Sequence, residues 1–316
     1  TVFPKETVVF AKVGAALLLS RIRRIRTPSC VDNNMMGFVV DNKNSCRFIK
    51  YTMHIIKFDF LYNGGAVPSV NESQVGGFFL SKPPLQEQKS IANYLDKATA
   101  KIDTLIEKQT KLIELLKEKR QAVISSAVTR GIDASVPMKD SGVEWLGEIP
   151  EGWAVSPMKY LGAFINGYAF SSNSFSKTGV KVLKITNIQH MRIDWKDASY
   201  VNNSFYIKLP LFRVYKNDLV FALTRPIIST GIKVGMIETN EKILVNQRNS
   251  IYRATKVSTK FMYYLLLNAL FINEFESRID ATGQQPNISH VDIGNIVIPL
   301  PTKEQQCEIS EYLDFK

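Results

Sequence analysis

The sequence predicts an α+β fold in which globular lobes are joined by a long coiled-coil helix. Three observations predict it. Apolar residues recur by fours and threes from Ile91 to Val123. Short β-prone runs separated by Gly and Asn turns make up much of the rest. Motifs near the start return in the same order 211–218 positions later.

The helix is the clearest element. Ile91, Leu95, Ala98, Ile102, Leu105, Gln109, Leu112, Leu116, Lys119 and Val123 follow the alternating spacing of a coiled-coil seam. Ile106 and Ile113 widen that seam. Pro83-Pro84 forbids helix upstream, and Gly131 is placed to cap the far end. About 40 residues at roughly 1.5 Å each give a rod of about 60 Å. Gln109 and Lys119 read as tolerated polar positions, with a register role for Gln109 as the alternative. Exposed Ile102, Leu105, Ile106, Leu112, Ile113 and Leu116 would form a patch of the kind soluble monomers avoid. They are the candidate subunit interface.

The repeat organises the rest. Lys5-Glu6-Thr7-Val8-Val9-Phe10-Ala11 matches Lys216-Asn217-Asp218-Leu219-Val220-Phe221-Ala222. Gly76, Phe78, Leu80 and Pro83 return as Gly294, Ile296, Ile298 and Pro301. Glu87-Gln88 with Tyr94-Leu95-Asp96 returns as Glu304-Gln305 with Tyr312-Leu313-Asp314, which implies one extra residue in the second copy. The unit is a globular part followed by a helix, present about one and a half times. Residues 137–215 have no counterpart before the first copy, and the second helix is short. In the globular parts, Val180–Ile185, Leu219–Leu223 and Ile243–Val245 read as strands. Lys260–Ser277 reads as one helix, and Asn295–Ile298 is an apolar run leading into Pro299-Leu300-Pro301.

Composition narrows the function. The chain is 45% hydrophobic and 22% charged, which is globular rather than disordered. Forty basic residues against 29 acidic give net +11, which favours a polyanion partner, nucleic acid before membrane. The excess is distributed: net +5 over residues 1–81, +3 over 82–136, +5 over 137–298 and −2 over 299–316. This suggests two separate footprints. Cys30, Cys46 and Cys307 are too few for a disulfide framework or a zinc site, and they fit a reducing cytoplasm. The apolar run Val8–Leu19 is too short to span a bilayer. It lacks signal-peptide cleavage chemistry, and Arg21–Arg26 follows it. No membrane partner is expected.

Catalytic motifs are missing from the sequence. It has no P-loop, no Gly-x-Gly-x-x-Gly after a strand and no paired His/Cys spacing for zinc. His54, His190 and His290 are dispersed. The Asn/Asp-Pro-Pro-Tyr/Phe tetrapeptide of amino-methyltransferases is absent. Lys82-Pro83-Pro84-Leu85 is a helix-entry signal instead. A binding or scaffolding role is expected, with no cofactor. A nuclease with an unrecognised site is the weakest reading.

Several motifs resemble a family. Asp140-Ser141-Gly142-Val143-Glu144-Trp145-Leu146-Gly147-Glu148-Ile149-Pro150 with Gly152-Trp153 looks like the start of a target-recognition domain in specificity subunits of type I restriction–modification systems. Lys184-Ile185-Thr186-Asn187-Ile188, the Lys216–Phe221 block and Gly283-Gln284-Gln285-Pro286-Asn287-Ile288 are similar to later landmarks of that domain. Pro299-Leu300-Pro301, Glu304-Gln305 and Tyr312-Leu313-Asp314 resemble the start of its conserved helical region. The resemblance covers essentially the whole chain.

The resemblance implies a non-catalytic subunit. Its target-recognition domains each read one half of a split double-stranded DNA target, and its helical regions form an antiparallel coil that sets the spacing. It recruits methyltransferase (M) subunits, and the complex then recruits the ATP-driven restriction (R) subunit. On that pattern residues 1–81 are the C-terminal half of a first recognition domain and 82–136 the helical region. Residues 137–298 are a second recognition domain and 299–316 the start of a second helical region. The seam adds a second copy of the chain to the candidate partners. A coiled-coil scaffold or assembly partner that has lost DNA reading is the alternative.

DNA affinity comes from Lys and Arg on phosphate, and specificity from amides and Arg on base edges. Thr224-Arg225 and Lys233 flank the loop after the Leu219 strand. Asn246, Gln247 and Arg248 follow another strand, and Gln284, Gln285 and Asn287 lie in a polar loop. In the first lobe Arg21, Arg23 and Arg24, with Arg26, form a basic cluster. The competing reading is that surface loops are polar in any case and that the arginines are a solvated loop.

Overall fold

The structure is a computed structural model describing residues 2–58 and 67–315. Of the expected lobes, Thr1, residues 59–66 and Lys316 lie outside the described residues. Contacts divide the chain into two compact units, Thr1–Leu112 and Ile113–Lys316. The division falls inside a continuous helix.

In the first unit, strand Thr7–Ala11 is the centre of a three-stranded antiparallel sheet between Arg23–Arg24 and Met35–Val39. Helix α1 (Ala15–Leu18) follows the central strand, and α2 (Cys46–Met53) covers the sheet. Helix α3 (Glu72–Gly76) begins in a capping box made by Asn71 and Gln74. The core is Val8, Phe10, Leu17, Ile22, Cys46, Met53, Ile56, Phe58 and Val70. Phe10 and Phe58 stack at 5.1 Å. Cys46 is walled in by this core, and burial pushes its thiol up to about 11, so it stays protonated and unreactive.

Helix α4 runs from Leu85 to Arg130. The whole expected seam, Ile91 to Val123, lies within it. Gly131, at φ +77°, turns the chain out of the helix in a conformation that a Cβ would strain. Ala92 is buried in the first unit, and Ile124, Ala127 and Val128 in the second. Between them, Ile102, Leu105, Ile106, Leu112, Ile113 and Leu116 are each about half exposed.

The second unit holds two larger sheets, with two-stranded pairs beside them. The first has the order Val234–Met236, Leu219–Ala222, Asn249–Ala254, Gly162–Asn166, all antiparallel. The second has the order Phe175–Ser176, Ser199–Val201, Val180–Leu183, Ile243–Val245, Arg213–Val214. Val180–Leu183 and Ile243–Val245 run parallel. Helix α5 (Asn203–Lys208) connects strands of this second sheet. Val220, Ala222, Ile243, Val245 and Ile251 pack together in one core cluster. A second cluster joins Leu219, Phe221 and Tyr252 to helices α6 (Thr259–Leu265) and α7 (Ala269–Ser277). Helix α8 (His290–Gly294) leads into strand Val297–Leu300, which pairs with Ala154–Pro157, and α9 (Lys303–Phe315) ends the chain.

Two expectations are corrected. Lys260–Ser277 is two helices rather than one. Asn268 is fully buried, and its side chain caps α7 by accepting from the Leu270 amide at 2.9 Å. Gln121 of α4 donates to the Leu267 carbonyl at 2.6 Å, and Ser125 to Asn268 Oδ1 at 3.1 Å. Gln121 thus takes the Leu267 carbonyl that a continuous helix would have bonded to a later amide, and Ser125 holds the capping Asn268.

The second correction concerns the Glu87–Asp96 block of the repeat, whose second copy carries no extra residue. Buried Gln88 donates to the Pro83 carbonyl at 2.8 Å and accepts from the Ser45 amide at 2.8 Å. Buried Gln306, and not Gln305, does the same with Pro301 (2.9 Å) and Ser258 (2.7 Å). The offset of 218 is therefore constant from Pro83 to Asp96. Ser45 and Ser258 then cap α2 and α6. Tyr51 donates to Asp96 at 2.6 Å, as Tyr264 does to Asp314 at 2.5 Å. Glu6 and Asn217 both adopt positive φ just before the matching strands.

Candidate nucleic-acid interface

Three loops singled out in the sequence meet at one edge of the second unit. Strand Leu219–Ala222 runs into the turn at Leu223–Pro226. Strand Ile243–Val245 runs into Asn246–Arg248. Asp280 and Asn287 exchange both backbone hydrogen bonds and close the polar loop holding Gln284 and Gln285.

Backbone bonds stitch these loops together. The Leu223 amide donates to the Arg248 carbonyl at 2.8 Å, and the Ile288 amide to Leu223 at 2.9 Å. The Arg225 amide donates to the Pro286 carbonyl at 2.7 Å. Arg225 and Arg248 both have positive φ, at 48° and 67°. For residues with a Cβ this conformation is strained and persists only where the surroundings hold it. Here the surroundings are the neighbouring loops.

The side chains divide into free and engaged. Arg225, Gln247, Arg248, Gln284 and Asn287 are exposed. Asn287 also donates to the Gln285 carbonyl at 2.7 Å, shaping its own loop. Asn246 is half-buried, and its Oδ1 accepts from the Gln247 amide at 2.9 Å. Lys233 is half-buried too, and its ammonium donates to the Ile185 carbonyl at 3.0 Å. Burial, then the charge of Arg225, pushes Lys233 below the ordinary lysine value. The lysine thus braces the edge from behind, while Arg225 and Arg248 present its open positive charge.

Residues that sequence reasoning passed over hold this edge in place. The Gln247 amide donates to the Tyr168 carbonyl at 2.9 Å, and Tyr168 to Val245 at 3.0 Å. A Cβ at Gly167 would sit 1.9 Å from the Asn246 carbonyl oxygen, so only glycine fits there. Asn249 is buried and bonds the carbonyls of Leu183 and Asn246. Asp218 receives Arg253 bidentately at 2.9 and 2.6 Å, pinning the start of the Leu219 strand. No motif marks Gly167-Tyr168 in the sequence.

The first unit carries the basic cluster. Arg23 and Arg24 form a strand beside Val8 and Val9, and Arg21 is exposed just before it. Arg24 pairs with Glu6 at 3.2 Å. Among the described residues no group of three or more His, Cys, Asp or Glu is placed to hold a metal ion. No helix among them is long and apolar enough to cross a membrane.

A family model described as the type I restriction modification DNA specificity domain matches residues 1–115 and 150–315. The chain belongs to this family. It is 32% identical over 253 residues to the type I restriction enzyme MjaVIII specificity subunit of Methanocaldococcus jannaschii, covering 79% of this chain and 58% of that one. It is 31% identical over 170 residues to the type I restriction enzyme EcoAI specificity subunit of Escherichia coli, covering 53% of this chain and 28% of that one. The chain thus spans less than two thirds of the length of these relatives. The same fold occurs in the crystal structure of the HsdS subunit from Thermoanaerobacter tengcongensis, with TM-score 0.59 at 14% identity over 99% of this chain and 73% of that one. It occurs again in a structure described as the basis of complex assembly and conformational transition of the type I R-M system. There the TM-score is 0.76 at 14% identity, over 100% of this chain and 75% of that one.

The family's landmarks serve the fold. In the Asp140–Pro150 motif the Asp140 carboxylate accepts from the Gly142 amide at 2.9 Å, and the flanks pair as a hairpin. Trp145 donates to the Val297 carbonyl at 3.1 Å, and Trp153 is buried. In Lys184–Ile188, buried Asn187 ties Lys184 to Asp194.

Proposed function

We propose that this chain is the DNA-reading component of a type I restriction–modification specificity subunit. The observation that carries this reading is the stitched edge of the second unit. It sets two positive-φ arginines and exposed Gln247 and Gln284 side by side, the residue types that grip guanine and adenine in the major groove. Residues 137–298 would read one half-site, and residues 1–81 would contribute to the other. The segments 82–136 and 299–316 would supply the helical regions. The chain would carry out no methylation, cleavage or ATP hydrolysis itself. It would work in the cytoplasm with methyltransferase subunits and, through them, the restriction subunit.

The half-exposed seam from Ile102 to Leu116 supports an assembly role beside the reading role. Selection of bound duplexes from a random library, with and without methyltransferase subunits, tests the proposal. A recovered motif split by a fixed gap is the expected result. Recovery of random sequence would overturn the reading role.

A further inference from the structure

The first unit contains a basic cleft that its repeat counterpart lacks. The cleft, about 500 Å3, lies between strand Arg23–Arg24, helix α2 and the start of α4. Arg23, Arg24, Arg26, Arg47 and Lys50 line it, with Asp96 the one acid in its wall. Asp96 is already satisfied: Arg47 pairs with it at 2.8 Å and Tyr51 donates to it at 2.6 Å. Arg24 pairs with Glu6. These ion pairs hold Arg24 and Arg47 in place. Arg23, Arg26 and Lys50 have no ion pair among the described residues.

Register identifies the same positions in the second unit. Arg24 lies across from Val8 as Met236 lies across from Leu219. The Ile25 amide donates to the Thr7 carbonyl as the Ile237 amide donates to Asp218. Gly235, Met236 and Glu238 therefore stand where Arg23, Arg24 and Arg26 stand. With Ser45 matching Ser258 and Tyr51 matching Tyr264, Tyr263 stands in place of Lys50. Only the cation paired to the helix aspartate recurs, as Lys260 with Asp314. The shared frame folds without the other four cations, so they are not what holds it together. With Arg24 and Arg47 paired, Arg23, Arg26 and Lys50 leave uncompensated positive charge in one cleft, and this costs repulsion that an anion offsets.

We infer that this cleft clamps the phosphate backbone of DNA without reading sequence, a grip that the first unit has and the second lacks. The inference rests on the DNA-reading proposal for its choice of polyanion. Guanidinium groups match phosphate oxygens in pairs, and Lys50 adds a point charge. Each neutralised phosphate contributes about 0.9 to the slope of log affinity against log salt.

The test measures binding of the full chain to several labelled duplexes of unrelated sequence between about 50 and 200 mM salt. Wild type is compared with Arg26→Ala/Lys50→Ala, which leaves both ion pairs intact, and with Lys208→Ala/Lys256→Ala, which removes the same charge from exposed sites of the second unit. Melting temperatures confirm that all three are folded. The cleft variant is expected to lose about tenfold or more in affinity on every duplex and about 2 from the salt slope. Its base preference stays unchanged, and the control keeps the wild-type slope. An unchanged slope, an equal fall in the control, or a loss confined to certain sequences overturns the clamp. Loss of methyltransferase binding with DNA binding intact would instead mark the cleft as a seat for an acidic protein face, and would also overturn it. Wild-type protein with the slope difference but no sequence preference would sink the reading proposal and leave the clamp standing. Wild type that binds no duplex sinks both.

Discussion

Gln306 stands to Ser258 as Gln88 stands to Ser45: a buried amide accepts from the residue that caps the neighbouring helix. Its amino group reaches back to the proline before its own helix. The two bonds lock α9 to α6 and fix where α9 begins. Gln306→Leu would orphan the Ser258 amide and the Pro301 carbonyl. A buried group left unpaired costs about 1–3 kcal/mol. Urea unfolding followed by far-ultraviolet dichroism should show a loss in that range, and an unchanged midpoint would mean that the bonds contribute nothing net.

The acid limb of stability should depend on Asp314. Its bonds from Lys260, then Tyr264, hold the carboxyl below its ordinary value of 3.8. A carboxyl depressed by folding contributes stability that is complete above the ordinary value. That contribution fades as pH falls through the lower folded value. Asp314→Asn should therefore be less stable than wild type near neutral pH, by a small amount since the pair is exposed. The two should converge as pH falls below the ordinary carboxylate value and through the lower folded one. A constant gap at all pH values would show that packing, not ionisation, is the cause.

At Gly167 the backbone approach to Asn246 leaves no room for a methyl group. Gly167→Ala should cost about 1–3 kcal/mol through overpacking. It should also displace Gln247, whose amide is tied to Tyr168. Thermal unfolding and duplex binding should both weaken. A variant with native melting and native affinity would show that the loop adjusts freely.

The seam offers an assembly prediction. Leu112 is 48% exposed amid Leu105, Ile106, Ile113 and Leu116. Pairing such side chains contributes about 1.5–3 kcal/mol each at full burial. Leu112→Glu should abolish association seen by light scattering while leaving the dichroism of both units intact. A wild-type chain that stays monomeric at high concentration, with Leu112→Cys open to thiol labelling, would show that the seam needs no partner.

The long helix was legible because a seam repeats its signal many times, so one polar position such as Gln109 does not erase it. The strands at Val180, Leu219 and Ile243 were legible within two residues because each is a short run dominated by buried apolar residues. The α6–α7 break was not. It is set by Gln121 and Ser125, about 145 residues away in sequence. The repeat was visible, but its register was misread by one residue. Gln305 and Gln306 are chemically alike, and only burial and the bonds to Pro301 and Ser258 separate them. At the candidate edge, residue type pointed to Arg225, Gln247 and Arg248. It could not show that Lys233 was already engaged with Ile185, nor that a glycine beneath the loop sets its shape.

The central claim is that the stitched edge of the second unit reads base identity. The most direct measurement is affinity of wild type, Gln247→Ala and Arg248→Ala for a panel of duplexes carrying every single-base change in the selected target. Loss of a bidentate amide contact should cost Gln247→Ala about 1–3 kcal/mol, confined to one adenine position. Arg248→Ala should either relax one guanine position by a similar amount or weaken all duplexes together, according to whether it meets a base or a phosphate. If both variants keep wild-type affinity and wild-type preference at every position, this edge does not read DNA.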